Sequence, residues 1–569
     1  MKRCPQCRRD YYDDTLSFCL EDGAELVYGV ADGEPATAIL HDTALSNEAP
    51  TRAQIHTTAS AELPTDSGRA TGSQSSHRAT RILAVSIIAI LILVGGFFGY
   101  RYFTTGGRTI DSIAVLPFTN ASGDKESEFL SDGLAETLIN NFTKIPDLKV
   151  AARSSAFRFR GREGEPKEIG RELGVGTVLT GRLLQRGDTL SIQVDLVNTS
   201  DGLQIWGNKY EGKASDIVGI QQQIATDVSQ QLKSKLTGAQ VQQIAKTYTQ
   251  NSEAYQHYLR GRYYWNKRTG DNLRLAIAEF QQAAENDPNY ALAFVGLADC
   301  HALLKEYAGV PTSESLPRAK MFADKALALD PNLAEVYASL GTINQMMWNW
   351  DESEAAFKRA IELNPNYPTA YHWYSIMLAY TGRRERSYEM IRKAAELDPL
   401  SLVIRSKLSE ELRDRGDFEA SLKECRTLQE LDPNFVYVHQ CFGAAYLFLG
   451  RFDESIAEYR KFDVVDYGGG GATPDLGVAL ARAGLLKEAR DQVERLEVLF
   501  SKGRPNAVGI ASIYFALGEK DTGFAWLEKA FATRDSGLPD LLSDRALRSL
   551  AGDPQYESLL NRIGVKHEK

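Results

Sequence analysis

Apolar positions change their spacing several times along the chain, and each change predicts a different kind of element. Residues 82–100, ILAVSIIAILILVGGFFGY, run without a charge between Arg78 and Arg81 on one side and Arg101 and Arg108 on the other. At about 1.5 Å per residue this stretch covers a hydrocarbon core of about 30 Å. The pattern predicts one transmembrane helix over 81–103. Residues 109–247 mix two periods. DSIAVLPFTN reads as a buried strand, and LKVAARSSAFRF as another. FLSDGLAETLINNFTKI carries Leu130, Leu134, Leu138 and Phe142 four apart, the spacing of one helix face. PKEIGRELG is a short helix opened by proline and closed by Gly174. TVLTGRLLQRGDTLSIQVDLVNTSDGLQIWGNKYEG alternates through two turns and predicts a three-stranded meander, and DIVGIQQQIATDVSQQLKSKL closes the segment as an amphipathic helix. The sum is a compact α/β domain.

From residue 252 a longer rhythm takes over. Pro331, Pro365, Pro399 and Pro433 stand 34 residues apart, in ALDPNLAEVY, ELNPNYPTAY, ELDPLSLVIR and ELDPNFVYVH, and Pro288 precedes them by 43. Gly382, Gly416 and Gly450 recur at the same interval, at the expected turn between two helices, where a residue free to adopt positive φ is useful. A fixed period of 34 with two helices per unit resembles the tetratricopeptide (TPR) family. The resemblance spans 252–535 and implies an all-α solenoid, with residues 536–569 as a helical cap. It also implies a concave groove lined by the first helix of each repeat, in which Gln345, His372, Tyr380, Glu410, Arg413, Tyr437 and Gln440 would face a partner protein. GGGGATP, Gly468 to Pro474, is expected to break the rhythm and hinge the solenoid. Cys425 and Cys441 fall in adjacent packed helices, where core packing is the expectation.

Composition sharpens the picture at the N-terminus. The chain has 569 residues, enough for three or four domains, and 65 Lys+Arg against 75 Asp+Glu leave it at −10, so no global basic field holds nucleic acid. Three of its six cysteines lie within the first 19 residues. Cys4 and Cys7 form a C-x2-C knuckle; Cys19 opens a second one, whose closing place holds Asp22. A carboxylate is an acceptable zinc ligand, so Cys4, Cys7, Cys19 and Asp22 can complete a tetrahedral structural site. A module of 1–27 is too small to fold on apolar burial alone, which argues for a metal. The other reading is a ribbon that keeps three thiols and no zinc. Residues 28–77 are rich in Ala, Thr, Ser, Asp and Gly and read as a flexible linker. Arg69, Arg78 and Arg81 outnumber Arg101 and Arg108 around the span, which places the N-terminus inside the cell and the C-terminal domains in the periplasm.

The phrases IAVLPFTNASGDKESEFLSDGLAETL, VAARSSAFRFRG, EIGRELGVGTVLTGRL and GLQIWGNKYEG resemble the TolB N-terminal-like domain. In that family the domain lies between a membrane span and TPR repeats, often behind a cytoplasmic cyclase, kinase or winged helix; here only the ribbon stands in that place. Nothing matches a kinase set, and GVGTVLTG lacks the ending of a phosphate loop. The acidic cluster Asp124, Glu126, Glu128, Asp132 and Glu136 is what capping and the helix dipole favour at a helix start. The expected fold is therefore multidomain: a small zinc ribbon, one transmembrane helix, a TolB N-terminal-like α/β domain and an all-α TPR solenoid. The expected role is a non-enzymatic membrane scaffold that positions proteins in its groove. A sensory-regulatory subunit, carrying an envelope signal to a cytoplasmic enzyme or transcription partner through the ribbon, is the alternative.

Overall fold

The computed structural model describes residues 110–565 apart from 125–126, 146, 163–164, 233–243, 464–472, 503–505, 536 and 546, together with three short strands near the N-terminus. The chain divides into two units, Met1–Tyr100 and Arg101–Lys569. In the first, Lys2–Arg3 pairs antiparallel with Asp10–Tyr11 and with Val27–Tyr28. Cys4, Cys7, Cys19 and Asp22, residues 29–77 of the linker and the apolar stretch 82–100 lie outside the described residues. Among the described residues no helix is long and apolar enough to cross a membrane.

The second unit joins an α/β region to an all-α region of helical repeats. The α/β region contains β1 (Ser112–Val115), β2 (Thr119–Asn120), α1 (Glu128–Phe142), β3 (Lys149–Val150), α2 (Arg153–Ala156), α3 (Pro166–Leu173), β4 (Thr177–Arg186), β5 (Thr189–Asn198), β6 (Gln204–Lys213) and α4 (Ile217–Leu232). The sheet runs β3-β1-β4-β5-β6, with β2 also pairing β4. β1 is parallel to both β3 and β4, whereas β4, β5 and β6 form the antiparallel meander. Ile113 and Val115 enter the core shared with α1 and α4, while Ala114 and Leu116 pack with Ile169 and Leu173 of α3 on the other face. Covering on both faces is why Ile113, Ala114, Val115 and Leu116 form an unbroken apolar run.

One expected strand is mostly helical. Of LKVAARSSAFRF only Lys149–Val150 is extended; Arg153–Ala156 and Phe157–Phe159 wind into two short helical turns. Side chains of these turns reach the repeats, and that attachment overrides the apolar alternation.

Among the described residues eight helix pairs follow: α5 (Ser252–Trp265) with α6 (Gly270–Asn286), α7 (Ala291–Ala308) with α8 (Thr312–Leu329), α9 (Ala334–Met346) with α10 (Trp350–Leu363), α11 (Pro368–Tyr380) with α12 (Arg384–Leu397), α13 (Leu402–Arg415) with α14 (Phe418–Leu431), α15 (Tyr437–Phe448) with α16 (Phe452–Asp463), α17 (Pro474–Arg482) with α18 (Leu486–Ser501), and α19 (Ala507–Ala516) with α20 (Lys520–Ala532). A last helix, α21 (Pro554–Arg562), follows two 3-10 turns, Leu538–Leu541 and Leu547–Leu550. Gly382, Gly416, Gly450, Gly484, Gly518 and Gly552 all take positive φ, each 34 residues after the last. The glycine interval therefore holds from Gly450 to Gly484, and residues 464–472, where most of the expected break at Gly468–Pro474 falls, lie outside the described residues. One period before Gly382 the same place is held by Trp348 at φ 65, a conformation that costs a residue with a Cβ about 1 kcal/mol or more. Ser353, Ser387 and Ser455 of the second helices each donate to a carbonyl of the first, Gly341 O at 2.7 Å, Ser375 O at 2.8 Å and Gly443 O at 2.7 Å.

Two features depart from expectation. Cys425 of α14 and Cys441 of α15 form a disulfide across a Cα–Cα distance of 5.6 Å, where plain core packing was expected. Adjacent helices that bring two cysteines to this separation satisfy the geometry of the bond. The array also returns on itself. The Trp350 indole N–H donates to the Ile563 carbonyl at 2.7 Å, and the Trp348 ring lies 5.8 Å from that of Phe531 and beneath Arg534.

Candidate functional site

The α/β region sits against the repeats through a row of side chains that the repeat itself generates. Four of the five residues before a repeat proline make a local turn with one side-chain oxygen: Asp287, Asp330, Asn364 and Asp432 accept from the backbone N–H two residues on, at 2.9–3.1 Å, whereas at Asp398 that N–H, of Leu400, donates to Ser155 Oγ at 2.9 Å. The remaining atoms of this row point outward. Asp287 accepts from Thr249 Oγ1 at 2.6 Å, and Asp330 from Lys246 Nζ at 2.6 Å. Asn364 Nδ2 donates to Thr143 Oγ1 at 3.1 Å, and Asp398 accepts from Ser155 Oγ at 2.6 Å and from Ser154. Arg158 donates to the Leu431 carbonyl. The pre-proline positions thus become a ladder that grips the α/β region and the connector that follows it.

The acidic cluster at the start of α1 completes the attachment. Glu136 is buried between Arg153 Nε at 2.7 Å and Arg262 Nη2 at 2.6 Å, with Asn266 Nδ2 donating at 2.9 Å. Burial alone would raise its pKa, but Arg262 and Arg153 outweigh burial and hold the carboxyl below its usual range. Asp132 takes Arg160 at 2.6 Å. Arg262 belongs to α5, so Glu136 joins the α/β region to the first repeat. Glu136 is thus an interface group, Asp132 pairs within the α/β region, and the cap residue Ser127 makes no side-chain capping bond.

Between the α/β region and the inner faces of α7, α11, α13 and α15 lies a chamber of about 1140 Å³. Its wall is aromatic on several sides, with Tyr258, Tyr290, Tyr367 and Trp373, and it holds Lys407, Arg268 and Asp299. Of the seven residues expected in the groove, His372, Glu410, Tyr437 and Gln440 line it. Burial, with Lys407 and Arg268 nearby, pushes the His372 pKa down to about 3, so the ring is neutral at physiological pH. Burial raises Glu410, but Lys407, 2.7 Å away, and Arg413 hold it down overall. Gln440 Nε2 donates to Asp475 Oδ2 at 3.0 Å. Burial pushes Asp299 up to about 6 against the pull of its Ser339 hydrogen bond.

The other three expected residues stand elsewhere. Gln345 is buried in α9. Arg413 lies beside Asp414 at 3.2 Å and over the Phe448 ring. Tyr380 packs into the apolar cluster that contains Leu538, Leu541 and Leu542, so at this end the inner face is already covered by the chain's own C-terminal segment. The wall provides donors, acceptors and rings for binding; among the described residues no His, Cys, Asp and Glu group is placed to hold a metal ion. Asp398, Ser155 and Arg262 were not legible as site residues, although the 34-residue recurrence of the pre-proline position carried the signal for the first.

Over residues 109–232 the chain matches a family model described as the second domain of HilA/YgeH-like transcriptional regulators. This is the similarity found where a TolB N-terminal-like domain was expected. The chain is 29% identical over 250 residues to the putative adenylate cyclase 3 of Rhizobium meliloti, covering 43% of this chain and 42% of that protein. It is 28% identical over 128 residues to the transcriptional regulator HilA of Salmonella typhimurium, covering 22% of this chain and 23% of the regulator. The chain thus spans less than half the length of these curated relatives. Among solved structures it is similar to a thermophilic TPR protein of Thermus thermophilus, at 17% identity and a TM-score of 0.30 over 34% of this chain and 99% of that one. PilF of Pseudomonas aeruginosa is similar at 15% identity and a TM-score of 0.30, over 38% of this chain and 93% of that one.

Proposed function

We propose that this chain is a membrane-anchored scaffold that binds other proteins through the inner face of its helical repeats. One observation carries the reading: four residues of successive first helices, His372, Glu410, Tyr437 and Gln440, converge on one large chamber with mixed polar and aromatic walls. Such a chamber has the size and mixed lining of a site that binds another molecule. The anchor is the apolar stretch 82–100, with the N-terminus in the cytoplasm and the repeats in the periplasm. The Cys425–Cys441 disulfide supports this orientation, because such bonds persist in oxidising compartments. Cys4, Cys7, Cys19 and Asp22 hold a structural zinc in the cytoplasmic ribbon, and the α/β domain, read as TolB N-terminal-like, orients the solenoid above the membrane.

The test is a photo-crosslinking residue at Gln440 in the full chain in native membranes. A discrete adduct with an envelope protein supports the scaffold. Illumination that gives only the uncrosslinked chain removes it.

A second reading is favoured by the chamber's roof. The α/β region closes one side of the chamber, so an occupant touches both regions at once and can change how they sit together. The likeness of that region to a domain of transcriptional regulators supports a sensory-regulatory subunit, transmitting an envelope signal through the span to the ribbon. Cytoplasmic partners that are lost when Cys4 and Cys7 are both replaced by serine support this reading; envelope partners indifferent to that change support the scaffold.

A further inference from the structure

Strand β6 is the last on its side of the sheet, and among the described residues no strand pairs with its outer edge. Its inner side fixes the alternation. Just past the strand, the Ala214 N–H donates to the carbonyl of Asp188, at the start of β5, at 2.8 Å. Tyr210 is buried against α4, where its hydroxyl donates to Asp227 Oδ2 at 2.8 Å. Even-numbered residues of β6 therefore bond to β5 and turn their side chains to α4. The odd-numbered residues from Gly207 to Lys213 aim their backbone groups at the open edge and their side chains at the other face. Two of these outward N–H groups are taken up by local side chains, Lys209 by Asn208 Oδ1 at 2.9 Å and Lys213 by Asp216 Oδ2 at 3.4 Å.

An uncovered edge of this length is a template for another strand unless its charges forbid the approach. For a second copy of the same edge they do the opposite. When two β6 strands lie antiparallel about a two-fold axis at Tyr210, Lys209 of each stands opposite Glu211 of the other, and Lys213 of each stands opposite Gly207 of the other. Gly207 has no side chain of its own, and Asp195 Oδ1 and Gln204 Nε2 fill the place where its Cβ would stand. The Asp195 carboxylate accepts from Gln204 at 2.9 Å and from Gln193 at 3.2 Å, and among the described residues it has no ion pair. It leans over the edge at the point where the other copy presents Lys213. A shift of one residue in either direction sets Lys209 against Lys209 or Glu211 against Glu211, and like charges directly opposite are destabilising.

We propose that the outer edge of β6 pairs with the same edge of a second copy of this chain, joining the two sheets into one across an axis at Tyr210. The outward N–H and C=O groups of Gly207, Lys209, Glu211 and Lys213 bond across that axis, and the Lys209–Glu211 and Lys213–Asp195 pairs set the register. The proposal does not depend on what the chamber holds.

The experiment is energy transfer between donor-labelled and acceptor-labelled full chains in detergent, followed over protein concentration. Transfer should rise with concentration for the unmodified chain. Lys209→Glu alone and Glu211→Lys alone each place like charges across the axis and should weaken self-association at least about tenfold. A mixture of these two variants should regain the transfer of the unmodified chain, because every pair across the axis is again of opposite sign. In the unmodified chain Lys209 and Glu211 pair within the strand with side chains 61% and 63% exposed, so neither change disturbs the core. Glu211→Pro removes an outward N–H that the ladder to β5 does not use, and should abolish transfer while circular dichroism stays that of the folded chain. A chain that stays monomeric at every concentration overturns the proposal. So does self-association indifferent to these changes, or a mixture no better than either variant alone.

Discussion

Asp414 and Asp540 are carboxyls on opposite sides of one contact, and burial is the largest cause pushing the pKa of each up to about 7. Around them stand Lys407, Glu410, Glu411 and Arg413 from α13, Lys305 from α7, and Asp544 and Arg545 from the C-terminal segment. A carboxyl whose folded pKa exceeds its ordinary value of 3.8 binds protons more readily when docked. Its stabilising contribution is complete below that ordinary value and fades as pH rises toward 7. Docking of residues 538–548 is therefore expected to be tighter at pH 6 than at pH 8. Hydrogen exchange of this segment, corrected for intrinsic rates, should show more protection at pH 6; equal protection at both values would show that these two acids do not control the contact.

At the scale of elements, the turns between helices are the plainest case of sequence becoming structure. Gly450 sits at φ 73 with open space where a Cβ would be, so Gly450→Ala tests backbone strain alone. The expected loss is about 1 kcal/mol, read as a lower denaturant midpoint with an unchanged slope. No loss would mean that the turn relaxes freely. The helices around these turns were legible because two independent signals, proline and glycine, repeat at one interval. The meander was equally legible, because Gly187 and Gly202 mark its turns at φ 58 and 78. Residues 153–159 were not, since their helical turns answer to Asp398 and Glu136, which are distant in sequence. The disulfide was hidden for a related reason: 16 residues separate two cysteines, and only the packing of α14 on α15 brings them together. Half of the candidate site was visible as repeat positions. The other half, the roof, depends on a domain-to-repeat contact that periodicity cannot express.

At the scale of the whole molecule, Glu136 ties the α/β region to the repeats through Arg262 and Asn266, with Arg153 of its own region on its other side. Breaking such a buried pair by removing one partner costs about 3–5 kcal/mol. Glu136→Gln leaves Arg153 and Arg262 without their carboxylate, and the second unit should then unfold in two thermal steps in place of one. A single, merely lowered transition would show that the ladder of pre-proline residues holds the regions together unaided.

That ladder also limits how the gene can change. Arrays of this kind commonly grow and shrink by duplicating or deleting a whole repeat, since each unit contacts only its neighbours. Here Asp287, Asp330, Asn364 and Asp398 must each meet a fixed partner between Thr143 and Thr249, and Trp350 must meet Ile563 at the far end. One unit inserted after residue 290 would carry every later rung past its partner, and one removed after residue 365 would leave the tryptophan without its carbonyl. The molecule counts its own repeats, so variation in this lineage should be confined to loops and surface residues while the number of repeats stays constant.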